Sequence, residues 1–267
     1  MPLAAHRGAA IEITHLRKAF ESGANSVVAI EDLNVTIGSG EFVAFVGPSG
    51  CGKSTLLRIL AGLEQPDGGT VTVGGAGPSS RNAMVFQEAS IFPWKTVADN
   101  IAFGLRAQGM ARDEYAPRVE EALRLVGLTK FRNHYPSQIS GGMKQRAAIA
   151  RAIVTDPSVL LMDEPFAALD AQNRTILQNE LAKICEQTGT TVVYITHSID
   201  EALMLGDRAI VLTAQPARIK DIVEVPFARP RDTIAVSATP EFGTLKLRIW
   251  NVLEEEVLRA RREQEGI

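Results

Sequence analysis

Gly47-Pro-Ser-Gly-Cys-Gly-Lys-Ser-Thr55 decides the reading of this 267-residue chain. The stretch has the form G-x-x-x-x-G-K-[ST], a loop that cradles phosphates between a buried strand and a helix. Gly47, Gly50 and Gly52 remove the Cβ clashes that would stop successive N–H groups from turning toward one anion. The slots between them, including Pro48, Ser49 and Cys51, contribute backbone. A helix expected from about Lys53 adds orphan amides and the positive end of a dipole. Lys53 is the mobile charge for the β- and γ-phosphates, Ser54 offers a hydroxyl to Mg²⁺, and Thr55 lies beside the phosphates. The flanks agree: Glu41-Phe-Val-Ala-Phe-Val46 reads as a buried strand, and Leu56, Leu57, Ile59 and Leu60 as an apolar helix.

A second element stands about a hundred residues on, at Val159-Leu-Leu-Met-Asp163-Glu164. A short apolar run is a buried parallel strand, and its carboxylates then emerge at the carboxyl end, where open α/β sheets bind ligands. Asp163 is the expected Mg²⁺ ligand, directly or through water, and Glu164 is one residue further on to polarise an attacking water. Asp-Glu-Pro by itself would serve equally to start a helix at Pro165. Its pairing with the glycine-rich loop favours the nucleotide reading.

Between the two lies Ile139-Ser-Gly-Gly-Met-Lys-Gln-Arg146. The ordered set resembles the ATP-binding subunit of ABC transporters, whose signature is usually written L-S-G-G-Q; here Ile139 replaces Leu and Met143 replaces Gln. Ser140 and the amides of Gly141 and Gly142 open a helix expected over 143–155, with its positive end available to a γ-phosphate. Taken alone, a Ser-Gly-Gly helix start is an ordinary N-cap. The resemblance covers nearly the whole chain and implies further roles. Gln87, in Met84-Val-Phe-Gln87, matches the glutamine that senses Mg²⁺ and the attacking water. Ala168-Leu169-Asp170 matches the D-loop, and His197, after Thr191-Val-Val-Tyr-Ile-Thr196, matches the switch histidine at the γ-phosphate. Lys53, Gln87, Glu164 and His197 are thus the candidate catalytic set, with ATP and Mg²⁺ as cofactors. Phe20 sits where the family places an adenine-stacking ring; packing in the core is the other use of such a residue. His6, His15 and His134 have no such setting.

The motif order implies an α/β fold: a P-loop NTPase core with a predominantly parallel sheet, an antiparallel β part and an inserted helical subdomain. Strands are expected over 11–14, 27–37, 41–46 and 69–73. Val97, Ile101 and Leu105, then Val119, Leu123 and Val126, recur at helical spacing, with Gly127 as a stop. The expected division is an ATPase core over 1–95 and 156–235, a helical signature subdomain over 96–155, and a C-terminal helix over 240–265. In that helix Phe242, Leu245, Ile249, Leu253 and Val257 form an i, i+3/i+4 stripe that reads as a docking face.

Composition bounds the setting. Hydrophobic content of 45% and charged content of 22% are ordinary for a globular chain, and a net charge of −3 argues against a dedicated nucleic-acid surface. No apolar run approaches the ~20 residues that span a bilayer, and residues 1–10 lack an apolar signal core. The expected location is peripheral, on the cytoplasmic face of the inner membrane. Two cysteines suit a reducing compartment. Cys51, near loop amides and Lys53, is expected to have a lowered pKa and a reactive thiol, and Cys185 to be a small core residue.

The family resemblance also implies partners. The Ser140-Gly-Gly loop completes the site of a second copy in a head-to-tail, ATP-bound homodimer. Ile91-Phe-Pro-Trp-Lys-Thr-Val-Ala-Asp-Asn-Ile-Ala-Phe-Gly-Leu105 follows Gln87 and resembles importers of the nitrate/sulfonate/taurine type, as do Pro216-Ala-Arg-Ile219 and Pro226-Phe-Ala-Arg-Pro-Arg-Asp232. There, two permease subunits meet the surface from Gln87 to Lys95, and a solute-binding protein acts indirectly. Phe92 and Trp94 are either exposed contacts of that kind or core aromatics in a turn. The alternative in another class is a soluble ABC ATPase of DNA repair or translation; those resemble tandem cassettes or carry coiled-coil insertions, which this sequence lacks.

Overall fold

The computed structural model describes residues 8–22, 25–74 and 82–265. Two long strands, β1 (Ile11–Ser22) and β2 (Asn25–Ile37), lead into β3 (Phe42–Val46), all of whose residues are buried. After the glycine-rich turn come α1 (Lys53–Leu60) and β4 (Gly68–Val73), then β5 (Asn82–Val85). The helical stretch is α2 (Val97–Ala107), α3 (Arg112–Leu125) and α4 (Gly141–Ile153), which pack on one another. Alternation resumes with β6 (Val159–Asp163), α5 (Ala171–Thr188), β7 (Thr191–Thr196), α6 (Ile199–Leu205), β8 (Arg208–Leu212) and β9 (Ile219–Glu224). Two helices, α7 (Thr233–Ser237) and α8 (Pro240–Glu265), follow.

The main sheet has the order β5-β6-β7-β3-β8-β9, parallel throughout except for β9 against β8. A second, antiparallel sheet is ordered β2-β1-β4. Because side chains alternate across a strand, β3 divides its residues between two cores. Phe42, Ala44 and Val46 belong to the core that α6 and the other helices of that side cover, while Val43 and Phe45 join α1 and the antiparallel sheet. β6 and β7 alternate in the same way, so the central strands are covered on both faces, as parallel strands require.

Several elements differ from the sequence expectation. β1 runs to Ser22, past the expected 14, because its pairing with β2 shifts register after Ile13, Leu16 and Lys18, and His15 takes a left-handed φ of 49°. Such bulges interrupt the two-residue alternation on which a strand is recognised. α4 begins at Gly141, two residues before the expected start, because Ser140 caps it. The four-residue β5, an edge strand of the parallel sheet, carries too short a pattern to stand out.

Helix α8 docks on α6, β8 and β9 through Phe242 and Ile249, which are buried, with Leu245 and Leu253 partly so. The stripe is not wholly apolar. Glu256 is 2% exposed; its Oε2 accepts the Ala214 N–H at 2.9 Å and its Oε1 lies 3.1 Å from Lys220 Nζ. A buried carboxylate is tolerated only when its lone pairs are met, and here a backbone amide and an ammonium meet them. Removing the carboxylate strands the amide. Glu256→Ala is therefore expected to lower the unfolding free energy by about 1–3 kcal/mol, with Glu256→Gln losing less because it keeps an acceptor. Urea denaturation checks this; equal stability of all three proteins contradicts it.

Candidate active site

The glycine-rich loop joins β3 to α1. Gly50 and Gly52 have φ of 77° and 108°, left-handed values that a side chain would strain. A Cβ on Gly52 would also sit 2.6 Å from the Ala29 carbonyl oxygen. α1 starts at Lys53 with no side-chain cap and no acidic residue in its first turn, which leaves its first amides to an outside acceptor. Ser49 and Gly50 are exposed, Gly47 is buried, and Pro48, Ser54 and Thr55 are half-buried. Lys53 is buried, and its Nζ donates to the carbonyls of Gly47 and Pro48, both at 2.8 Å. The ammonium is thus held at the cradle by neutral acceptors, which an anion there would outcompete.

The carboxylates stand at the end of β6, which β7 separates from β3. Asp163 is 7% exposed and accepts a hydrogen bond from the Ser54 hydroxyl. Burial foremost, and then the charge of Glu164, raises its pKa against the opposing effects of Ser54 and Lys53. A hydroxyl and a desolvated carboxylate side by side are hard oxygen donors suited to Mg²⁺, which would offset that desolvation. Among the described residues no group of three His, Cys, Asp or Glu side chains is placed to hold a metal. A cation here would therefore complete its shell with phosphate and water oxygens, the usual situation for Mg²⁺.

Glu164 has a φ of 44°, and its N–H donates to the Ile195 carbonyl of β7 at 3.0 Å. A non-glycine residue in this region stores about 1–2 kcal/mol, which the strand contact holds in place. The turn aims the side chain at two other loops. Glu164 Oε2 is 3.1 Å from His197 Nδ1 and 3.5 Å from Gln87 Nε2, the second a marginal hydrogen bond. Three residues from the ends of β5, β6 and β7 meet at one carboxylate oxygen.

The Ser-Gly-Gly stretch lies elsewhere. Ser140 Oγ accepts the Met143 N–H at 3.3 Å, and Ser140 and Gly141 are exposed. Among the described residues no hydrogen bond joins residues 140–142 to the 47–55 loop. Gly142 instead packs on the turn before α5: a Cβ there would lie 2.9 Å from Leu169 Cδ2. Asp170 caps α5, accepting the Asn173 N–H at 3.0 Å and Asn173 Nδ2 at 2.6 Å, contacts that lower its pKa, the side-chain bond most. Gln145 is buried in α4 and donates to the Phe86 carbonyl at 3.2 Å, tying this helix to the residue before Gln87.

Phe20 is 40% exposed, open to a flat ligand. Beneath it is a residue that sequence reasoning passed over. Lys18 Nζ lies 5.2 Å from the Phe20 ring centroid and is anchored by Glu64 at 2.8 Å and Asp67 at 3.2 Å. Only the fold brings those carboxylates to it. On the opposite side of Gln87, Asn100 is fully buried and binds the Phe92 N–H at 2.7 Å and the carbonyls of Phe92, Lys95 and Thr96 at 2.9–3.1 Å. It shapes a turn that leaves Trp94 71% exposed, while Phe92 stacks with Phe103 at 4.6 Å beside Arg151. A groove of about 480 Å³ lined by Phe86, Phe92, Phe103 and Arg151 runs along this surface.

The expectation of a reactive Cys51 is corrected. Its thiol is 1% exposed, and burial raises its pKa more than Lys53, 3.8 Å from the sulfur, lowers it. Desolvation of the thiolate outweighs one ammonium. Cys185 is buried as expected, its pKa pushed up to about 12 by the same cause. In the native protein at neutral pH, iodoacetamide is expected to leave both cysteines unlabelled over a time in which the urea-unfolded chain labels fully. Mass spectrometry of peptides checks this; rapid native labelling at Cys51 contradicts it.

A phosphate-cradling loop, a carboxylate pair at the end of a parallel strand of the same sheet and a helical insertion together define a P-loop ATPase of the cassette type. Residues 30–167 match the ABC transporter family, and the chain belongs to that family. An ABC transporter ATP-binding protein of Methanocaldococcus jannaschii is 46% identical over 94% of this chain and 93% of its own. A nitrate import ATP-binding protein of Synechococcus elongatus is 45% identical over 86% of each chain. A taurine import ATP-binding protein of Pelagibacter ubique is 43% identical over 87% of this chain and 91% of its own. A solved dimer of an ATP-binding cassette bound to ADP and Pi is 31% identical and superposes with a TM-score of 0.74, over 82% of this chain and 100% of that one. No helix among the described residues is long and apolar enough to cross a membrane.

Proposed function

We propose that this chain is the ATP-hydrolysing subunit of an ABC importer, working at the cytoplasmic face of the inner membrane on a separate permease. The observation that carries this is the meeting of Gln87 and His197 at Glu164 Oε2, at the same end of the sheet as the phosphate-cradling loop. Relatives named for nitrate and taurine import support a small anion as the solute: nitrate, a sulfonate, taurine or a related one.

In this reading the amides of residues 47–55 bind the ATP phosphates, Lys53 swings from the Gly47 and Pro48 carbonyls to the β- and γ-phosphates, and Phe20 stacks on the base. Mg²⁺ held by Ser54, Asp163 and Gln87 would neutralise charge on the phosphates. Glu164 orients a water and takes its proton as the water oxygen bonds to the γ-phosphorus and the bond to the β-phosphate oxygen breaks. His197 holds the γ-phosphate. The exposed Ser140 and Gly141, with Gly142 beside them and the turn of Asp170, serve a second copy, so that ATP closes a head-to-tail homodimer and hydrolysis opens it. The reading includes no nucleic-acid partner.

Replacing the Glu164 carboxylate by an amide removes the proton acceptor and keeps the size. Glu164→Gln is expected to bind ATP with unchanged affinity, to lose about 10²-fold or more in turnover, and to accumulate as a dimer in ATP. Turnover near the normal rate, measured by phosphate release, contradicts the general-base role.

The surface from Gln87 to Lys95 is the proposed contact for two permease subunits, which a solute-binding protein supplies with solute. Exposed aromatics with buried neighbours are the residues that dominate interfaces. Trp94→Ala is expected to lower solute uptake by reconstituted transporter about tenfold or more while the ATPase of the isolated chain stays within about twofold. Normal uptake contradicts the contact.

A further inference from the structure

We infer that Glu201, on α6, is a positioning residue that fastens the loop of His197 to the turn of Asp170, so that the two keep one geometry during hydrolysis. The inference rests on the proposed roles of His197 and Asp170. Neither residue touches Glu201. The linkage runs through a polar cluster behind them that the hydrolysis mechanism above leaves unused.

Four side chains from two elements converge on this one carboxylate. Its Oε2 accepts the Tyr194 hydroxyl at 2.6 Å and the Thr196 hydroxyl at 2.7 Å. Its Oε1 accepts Gln178 Nε2 at 3.0 Å and lies 4.0 Å from Arg174 Nε. Tyr194 is fully buried, and burial first and then the Glu201 charge raise its pKa well above the ordinary value, so it stays a donor. The carboxylate itself is 12% exposed.

From there the contacts reach both loops. Thr196 Oγ1, while donating to Glu201, accepts the Ser198 N–H at 3.0 Å, and Ser198 Oγ accepts the Glu201 N–H at 3.3 Å. His197 lies between Thr196, which is tied to the Glu201 carboxylate, and Ser198, which is tied to Thr196 and to the Glu201 N–H. On the other side Arg174 donates to the Leu169 carbonyl at 2.9 Å, next to Asp170. Arg174 Nε is buried with no hydrogen-bond partner in this structure, 4.0 Å from the Glu201 oxygen. Closing that gap would satisfy an orphaned donor and draw Leu169 and the loop of His197 together. An ionised carboxylate suits the node because it accepts throughout and donates nowhere.

The test uses the full chain, with turnover at saturating MgATP and, separately, ADP affinity by equilibrium titration. Glu201→Ala is expected to lower kcat about tenfold or more with ADP affinity within about twofold, because the displaced groups act on the reacting end and not on the phosphate cradle. Glu201→Gln keeps an acceptor for Tyr194 and Thr196 and is expected to recover most of the rate. Wild-type kcat in Glu201→Ala overturns the inference, as does an equal loss in the Gln variant or a loss confined to ADP affinity. If Glu201→Ala does not fold, because it leaves the Tyr194 hydroxyl unpaired, Thr196→Val cuts the same link at nearly constant volume. Its kcat is expected to fall at unchanged ADP affinity, and a normal kcat overturns the inference. His197→Ala run alongside separates the layers. A normal rate there removes the proposed role of His197 and this inference with it, whereas a dead His197→Ala beside a normal Glu201→Ala removes this inference alone.

Discussion

The parallel pairing of β6, β7 and β3 is the constraint on which the rest of this molecule depends. Neighbouring strands lie about 4.8 Å apart, and parallel strands end on the same side. Pairing Asp163 with Ile195 and Val46 with Thr196 therefore lines up three strand ends side by side, from which Glu164, His197 and the glycine-rich loop emerge. Such strands must be covered on both faces, and the two cores on either side of the sheet meet that demand with β-branched and aromatic side chains. The apolar packing has no chemistry of its own. It sets the distances at which the polar groups act.

Around that line the polar groups follow from how burial treats charge. Asp163 is desolvated next to another carboxylate, an arrangement at odds with two negative charges and suited to a divalent cation between protein and phosphate. Lys53 is buried too, and carbonyl oxygens hold it where an anion would take over. Burial leaves the Cys51 thiol, in the same loop, protonated and shielded. The same physical term thus prepares one group for a ligand and silences another, according to whether a compensating charge can arrive.

Loops joined by such strands would still move independently without a second set of ties. Gln145 connects α4 to the Phe86 carbonyl, Gly142 leaves room for Leu169, and Arg174 holds the Leu169 carbonyl. Helix α4, the loop of Gln87 and the turn of Asp170 are joined by these contacts, two of which rest on a buried side chain and a close-packed glycine. Ser140 and Gly141 at one end and Trp94 at the other are exposed, and they are the faces proposed above for contact with other chains.

Much of this was legible in the residue order. Residues 47–55, the apolar run into Asp163-Glu164, and His197 after its strand are local patterns: backbone conformation and strand burial act over a few residues, so they leave a mark in the sequence. The glycine stop at Gly127 and the apolar stripe of α8 are of the same kind. Tertiary structure decided what depends on partners far along the chain. Glu256 is buried because Ala214 and Lys220 reach it, and Lys18 sits under Phe20 because Glu64 and Asp67 anchor it. β1 extends past its recognisable part because β2 accommodates its bulges. Cys51 is buried with a raised pKa because the surrounding core excludes water, a cost that no inspection of its neighbours in sequence measures. Local sterics and periodicity are written in consecutive residues, whereas the desolvation of a charge and the geometry of its compensation exist only once distant segments are packed together.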